Sequence, residues 1–87
     1  MKIKSGFVVR EIAGQSVVVA LGTAGNVFNG IIKLNETGRV IWDMLTVGAE
    51  RDAIVEALLE TYEVERAVLE QDCDTFIQTL NEKNILE

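Results

Sequence analysis

The chain has 87 residues, no proline, 48% hydrophobic residues and a net charge of −6, a composition typical of a single domain spanning residues 1–87. It contains no histidine and only one cysteine, which excludes Ser-His-Asp and Cys-His catalysis, histidine-ligated zinc, an internal disulfide and CxxC sites. No apolar run approaches the roughly 18 residues that cross a membrane, and no secretory signal is recognisable, so we expect a cytoplasmic protein with no membrane partner.

The charges are divided unequally along the chain. Residues 1–49 carry five basic and three acidic side chains, which is +2, whereas residues 50–87 carry three basic and eleven acidic side chains, which is −8. An acidic surface repels the phosphates of nucleic acids and favours a basic protein or peptide. A solvated helix face that only keeps the protein soluble is the alternative explanation.

The first part of the chain predicts a β-hairpin. Segments 6–13 and 15–22 are rich in β-branched residues and meet at Gly14-Gln15, which is typical of two antiparallel strands joined by a tight turn. The two glycines and the asparagine of residues 22–26 then predict a loop.

Residues 27–34 predict a third strand after this loop. Phe28, Ile32 and Leu34 share one face by the two-residue period and are predicted core residues, while Ile31 falls on the other face. Gly30 lies inside the predicted strand, where a glycine often marks a bulge or the close approach of another backbone.

From Asn35 onward the period of apolar residues changes from two to 3.6, which predicts three helices. Asn35 is a predicted N-cap for the first helix, whose end is predicted at Gly48. The second and third helices are predicted at about residues 50–62 and 65–83. The fold class is therefore α+β, with a three-stranded antiparallel sheet followed by three helices, which is similar to a winged helix.

A winged helix suggests nucleic-acid binding, but the charges of this chain argue against it. The second and third helices contain only Arg51, Arg66 and Lys83 among many acids, whereas a DNA-reading helix needs basic side chains toward phosphates and base edges. We expect no nucleic-acid partner. Trp42 lies at the edge of the apolar stripe of the first helix and is predicted to be core or core edge rather than a recognition aromatic.

The third helix carries both an apolar stripe and a cluster of acids. Leu69, Cys73 and Phe76 fall on the stripe, but their spacing does not distinguish a core position from a position in a groove. Asp72 is either a solvated helical acid or a partner for a lysine or arginine.

No arrangement of residues predicts catalysis. Asp72 and Asp74 are two positions apart and point in different directions on a helix, so they are not an acid/base pair. The glycine-rich GTAGNVFNG segment precedes a strand, and no phosphate-binding GK[ST] follows it. We expect a protein that is not an enzyme and has neither a cofactor nor a metal site.

Several segments together resemble the PqqD family, which comprises pyrroloquinoline quinone biosynthesis protein D and the precursor-peptide recognition domains of other modified-peptide pathways. They are LNETGRVIWDML at 34–45, Gly48, AIVEALLETYEV at 53–64, LEQDCDTFIQTL at 69–80 and the final IL at 85–86. The likeness covers residues 6–86. One departure is Asn84, where the family commonly has a glycine; asparagine tolerates the left-handed conformation, so we expect the turn to be kept.

The resemblance implies a noncatalytic adaptor that binds the leader segment of a ribosomally made precursor peptide. It further implies that the adaptor presents the peptide to a modifying enzyme, often a radical S-adenosylmethionine enzyme. The leader would add as a strand to the third strand and lie against the third helix. The peptide-binding residues would then be Val27, Phe28, Asn29, Gly30, Ile31, Ile32, Lys33, Leu69, Asp72, Cys73 and Phe76.

The residues themselves support strand addition at one point. The third strand is an edge strand if it pairs with only one of the first two, and it lacks the proline and dense charge that usually protect such an edge. Gly30 would let a partner backbone approach, and Ile31 or Phe28 would line a pocket for an apolar leader side chain. The alternative function is a small winged-helix interaction or regulatory domain that acts through its acidic helices.

Overall fold

The computed structural model describes residues 1–22 and 30–87. The predicted contacts Val27, Phe28 and Asn29 lie outside the described residues. Three strands and three helices follow one another: β1 (Phe7–Ile12), β2 (Gln15–Ala20), β3 (Ile32–Leu34), α1 (Glu36–Val47), α2 (Arg51–Thr61) and α3 (Arg66–Glu82). The predicted element order and the α+β fold class are confirmed.

The three strands form one antiparallel sheet in the order β1-β2-β3. β1 and β2 are joined by a two-residue turn at Ala13 and Gly14, whose φ angles are +52° and +78°. Two consecutive positive φ values are characteristic of the type I′ hairpin turn, which matches the right-handed twist of the strands. The turn therefore lies one residue earlier than the predicted Gly14-Gln15 junction.

The third strand is shorter than predicted. β3 begins at Ile32, opposite Val18, so Gly30 and Ile31 lie just outside the strand. On the partner side β2 ends at Ala20, and Gly22 has a left-handed φ of +58°, which turns the chain out of the ladder. Gly30 is thus a bend residue rather than a glycine inside a strand.

The core lies between the inner face of the sheet and the three helices. Val18, Ile32 and Leu34 face the helices from the sheet, and Ile41, Trp42 and Leu45 of α1, among others, meet them. Trp42 is buried, which confirms its predicted core position. The N-terminal segment also contributes, because Ile3 forms an isolated antiparallel bridge with Leu86. No helix within the described ranges is long and apolar enough to cross a membrane.

Candidate functional site

The surface carries a cavity of about 320 Å³ where the start of α1 faces α3. Its lining comes from two segments that are far apart in sequence. The β3–α1 junction contributes Asn35, Thr37, Gly38 and Ile41, and α3 contributes Gln71, Asp72, Thr75, Phe76 and Thr79. We call this cavity the α1–α3 groove. Because Asn35 directly follows β3, the groove lies at the end of that strand.

The α1 side of the groove is shaped by the helix cap. The Asn35 side chain accepts hydrogen bonds from the Gly38 amide at 2.8 Å and from the Thr37 hydroxyl at 3.2 Å, which confirms the predicted N-cap. A Cβ at Gly38 would lie 2.9 Å from Asn35 Oδ1 and 3.5 Å from a ring carbon of Phe76. Glycine at this position therefore preserves both the cap and the contact with α3.

The hairpin turn fixes which backbone groups of β2 point toward β3. In a two-residue hairpin the flanking pair Ile12 and Gln15 exchange both hydrogen bonds, and every second pair does the same. Ser16 and Val18 therefore direct their N–H and C=O groups away from β1 and toward β3.

The partners of Ser16 and Val18 on β3 are Leu34 and Ile32. Because neighbouring residues of a strand alternate their backbone groups, Lys33 directs its N–H and C=O groups away from β2. Ile31 lies just before β3, at the same parity as Lys33. No described strand lies on that side, since β3 is last in the sheet order. Lys33 thus presents one amide and one carbonyl along an open edge that leads toward the groove, and Ile31 lies at the start of that edge.

Asp72 is the only charged side chain among the described residues that line the groove. It forms neither an ion pair nor a hydrogen bond with any described residue. Its neighbour Asp74 differs, because Arg51 binds both of its oxygens at 2.6 and 2.9 Å. These hydrogen bonds lower the pKa of the Asp74 carboxyl. The two acids that the sequence presents alike therefore have different environments.

The structure shows which apolar residues of α3 are core and which reach the groove, a distinction that the sequence did not make. Leu69 and Cys73 are 1% and 0% exposed and belong to the core, so we remove them from the peptide-binding surface. Burial also raises the pKa of the Cys73 thiol, and the nearby Asp74 carboxylate adds to the rise. Phe76 is half-buried and contacts both the core and the groove, and Asp72 faces the groove.

The residues predicted around the third strand take two positions. Ile32 is buried in the core, whereas Gly30, Ile31 and Lys33 are exposed. Ile31 is 61% exposed and lies just before β3 at the parity of Lys33, whose side chain projects from the face of the sheet opposite the helices. It therefore offers its backbone to the open edge rather than its side chain to the α1–α3 groove.

Sequence reasoning did not identify several polar lining residues. Gln71, Thr75 and Thr79 lie one turn apart along α3 beside Asp72. Their helical spacing is visible in the sequence, but a polar stripe that lines a groove looks the same as one that faces solvent. Among the described residues no group of three or more Cys, Asp or Glu side chains could hold a metal ion.

The model of the PqqD family, described as coenzyme PQQ synthesis protein D, matches residues 15–86. The chain belongs to the PqqD family. The match includes β2, β3 and all three helices, so it contains every described residue that lines the α1–α3 groove. No curated protein matches the chain.

Two solved structures are similar to this PqqD-family chain along its whole length. TbiB1, solved in complex with the TbiA(beta) leader peptide, has a TM-score of 0.77 and 31% sequence identity, covering 100% of this chain and 95% of that chain. A lasso peptide synthetase B1, solved in complex with the leader peptide, has a TM-score of 0.74 and 24% identity, covering 97% of this chain and 93% of that chain. Both have the same fold as this chain.

Proposed function

We propose that this protein is a noncatalytic adaptor that binds the leader segment of a ribosomally synthesised precursor peptide. The observation that carries the proposal is the open edge of β3, which leads into the α1–α3 groove. A strand edge gives affinity through backbone hydrogen bonds, and a neighbouring groove gives register through side chains. The likeness to TbiB1, which was solved with a leader peptide, supports this use of the fold.

The leader would extend the sheet as a fourth strand. Ile31 and Lys33 would supply four backbone hydrogen bonds, each with a net value of about 1 kcal/mol. Leader residues on the same face as Ile32 and Leu34 would point toward the helices, because cross-strand neighbours share a face. Their side chains would enter the α1–α3 groove, where Ile41 and Phe76 offer an apolar floor.

The polar lining defines the chemistry of the remaining leader positions. Asp72 favours a leader lysine or arginine, because within the described part of the chain it is the only charge in the groove lining and has no partner. Asn35, Gln71 and Thr75 can exchange hydrogen bonds with polar side chains. We infer a leader segment that alternates an apolar anchor with a basic or polar residue.

The adaptor would deliver the bound peptide to a modifying enzyme. The family resemblance favours a radical S-adenosylmethionine enzyme, and one structural neighbour is named a lasso peptide synthetase component. The adaptor itself has no histidine and only one cysteine, and that cysteine is buried. This inventory favours binding over catalysis.

The acidic helices support the alternative function, a regulatory interaction domain, less well than the groove supports leader binding. Arg51 and Arg66 bind Asp52, Glu56, Glu70 and Asp74, so four of the eleven acidic side chains of residues 50–87 are paired with arginines of the domain. Glu70, one of the acids that would carry such an interaction, contacts both arginines. We therefore assign the function to the groove and not to the acidic surface.

The test is an amide chemical-shift titration with leader segments of short precursor peptides encoded beside this gene. Saturable shifts are expected at residues 30–34 and on the groove side of α3. Replacement of Ile31 by proline removes one amide from the open edge, and we expect affinity to fall at least about tenfold while circular dichroism reports a folded domain. Ile31→Ala keeps the amide and is the matched control, with a loss below about threefold.

Two outcomes would count against strand addition. In one, the leader binds but its shifts lie on the acidic surface of α2 and α3 rather than at β3. In the other, Ile31→Pro and Ile31→Ala weaken binding equally, which would mean that the side chain of Ile31, and not its backbone amide, contacts the peptide.

A further inference from the structure

The face of the sheet that points away from the helices is a second surface with unusual chemistry. We call it the outer sheet face and define it by Val8, Arg10, Ile12, Val17, Val19 and Lys33. These residues alternate along their strands with Phe7, Val9 and Val18, which pack against the core. The outer sheet face therefore has no helix against it within the described ranges.

The centre of this face is already shielded from solvent. Val17 is only 6% exposed although it lies outside the core cluster. Its direct neighbours across the sheet are Arg10 on β1 and Lys33 on β3, and the aliphatic stems of these long side chains can cover a valine between them. Ile12, at the hairpin end of the same face, is 55% exposed.

The charge of this face is opposite to that of the whole chain. Arg10 and Lys33 are its only charged residues, and neither forms an ion pair with a described residue. The one acid of β1, Glu11, lies on the other face, where Arg39 and Ser16 donate hydrogen bonds to it at 3.1 and 2.6 Å. A basic and apolar face thus stands on a protein with a net charge of −6.

We propose that the outer sheet face docks the modifying enzyme, through an enzyme surface with an apolar centre and Asp or Glu side chains around it. This inference rests on the proposed function, since an adaptor must hold an enzyme as well as a peptide. Charge complementarity selects an acidic partner. The position also fits, because β3 contributes its edge to the leader and Lys33 to the docking face.

Other occupants match this face less well. Single-stranded nucleic acid binds on aromatic side chains that stack with bases, and the outer sheet face offers aliphatic ones. An anionic membrane would attract two basic groups but would repel the acidic remainder of the chain. A second copy that placed its acidic helices here would bind head to tail, and such a contact forms rings or open chains of molecules rather than a two-fold dimer.

The test is an amide chemical-shift titration of the full chain with a synthetic amphipathic helical peptide of about 18 residues, with leucine on one face and glutamate along its flanks. The matched probe has lysine in place of glutamate. We expect the acidic peptide to shift the amides of residues 8–12 and 17–19, with an affinity about tenfold above that of the basic peptide. Arg10→Glu is expected to abolish this preference and Ile12→Ser to weaken both peptides.

A separate leader titration distinguishes this inference from the proposed function. Arg10→Glu leaves the open edge and the groove intact, so leader shifts at residues 30–34 and on α3 are expected to persist in this variant. The docking inference is overturned if the acidic peptide shifts no outer-face amide, or if both probes bind equally. It is also overturned if anionic phosphatidylglycerol vesicles or polyuridine compete better than the acidic peptide, or if the chain alone self-associates through this face.

Discussion

At the residue scale, a few positions with positive φ set the path of the chain. Asn84 has a φ of +63° at the end of α3, so the left-handed turn expected there is kept without a glycine. Gly48 has a φ of +110° and donates its amide to the Met44 carbonyl, which ends α1. Ala13 also has a positive φ, although it carries a Cβ and gains no local hydrogen bond from its side chain.

The hairpin turn yields a stability prediction. Ala13→Asn is expected to raise the free energy of unfolding by about 0.5–1 kcal/mol, because asparagine tolerates the left-handed region and Asn-Gly is the preferred type I′ pair. Urea unfolding followed by circular dichroism measures the change. Ala13→Val is the opposite control, since a β-branched residue is strained at this φ and is expected to lower stability.

A second prediction at this scale concerns specificity. Asp72→Asn is expected to weaken a lysine- or arginine-containing leader about two- to fivefold, the range of an exposed ion pair. The same leader with glutamine at the basic position is expected to bind both proteins equally. Glu60→Gln, at an exposed position of α2, makes the same charge change away from the groove, so an equal loss in that variant would point to long-range charge rather than to Asp72.

At the scale of elements, two arginines form ion pairs between α2 and α3. Arg51 of α2 binds Asp74 and Glu70 of α3, while Arg66 of α3 binds Glu70 at 2.8 Å and Glu56 of α2 at 2.6 Å. The hydrogen bonds that Arg51 donates to Asp74 and Glu70 raise the pKa of Arg51, and those that Arg66 donates to Glu56 and Glu70 raise the pKa of Arg66. The pairing links α2 to α3, the helix that forms one wall of the α1–α3 groove.

This arginine pairing predicts a pH dependence. The pKa of Asp74 is lowered from its ordinary value of 3.8, so the folded state binds this proton more weakly than the unfolded state does. The stabilisation is therefore complete above about pH 4 and is lost as the pH falls through the lowered pKa. Arg51→Gln is expected to lower the urea midpoint at pH 7, and the difference from the unmodified chain is expected to shrink toward pH 3.

The control for that measurement is Arg10→Gln, which removes one positive charge from β1. Arg10 makes no ion pair with a described residue, so its effect on the urea midpoint is expected to be small and to show no comparable loss between pH 5 and pH 3. If both variants behave alike, net charge and not the pairing of Asp74 accounts for the pH dependence.

At the scale of the whole molecule, one core ties the sheet, the helices and both ends of the described chain together. The backbone of Ile3 bonds to Leu45 of α1 at 3.0 Å, and that of Lys4 bonds to Ile85 at 2.8 Å. The buried residues of α3, including Cys73, belong to this core. Because the domain is small and has one core, we expect it to unfold in a single cooperative step that exposes the buried residues of α3.

Cys73 reports on that cooperative event. Its thiol is fully buried and its pKa is raised, so labelling by a thiol reagent is expected to be at least about a thousandfold slower in the native protein than in denaturant. The Cys73 thiol is already inaccessible in the free protein. A saturating leader peptide is therefore expected to slow its labelling only through the stability that binding adds. A double variant, Cys73→Ala with Thr75→Cys, places the thiol in the groove lining and is expected to react fast and to be protected by the leader.

The sequence predicted the elements well because their signals are local. The caps at Asn35 and Gly48 confine α1 to the predicted range, and the apolar periods give α2 and α3 to within a residue or two. The length of β3 was overestimated because the extent of a strand is decided by its partner. Here β2 ends at Ala20 and the chain turns away from the sheet at Gly22.

The candidate site likewise has features that the sequence predicted and features that depend on tertiary packing. By itself the sequence determined the fold class, the family and the identity of β3 and α3 as the elements to consider, since period, caps and residue spacing are properties of neighbouring positions. Only the tertiary structure decided that Cys73 is core while Phe76 reaches the groove, and that Asp74 is paired while Asp72 is not. These residues lie on one helix at similar spacings, and their difference arises from which other elements pack beside them.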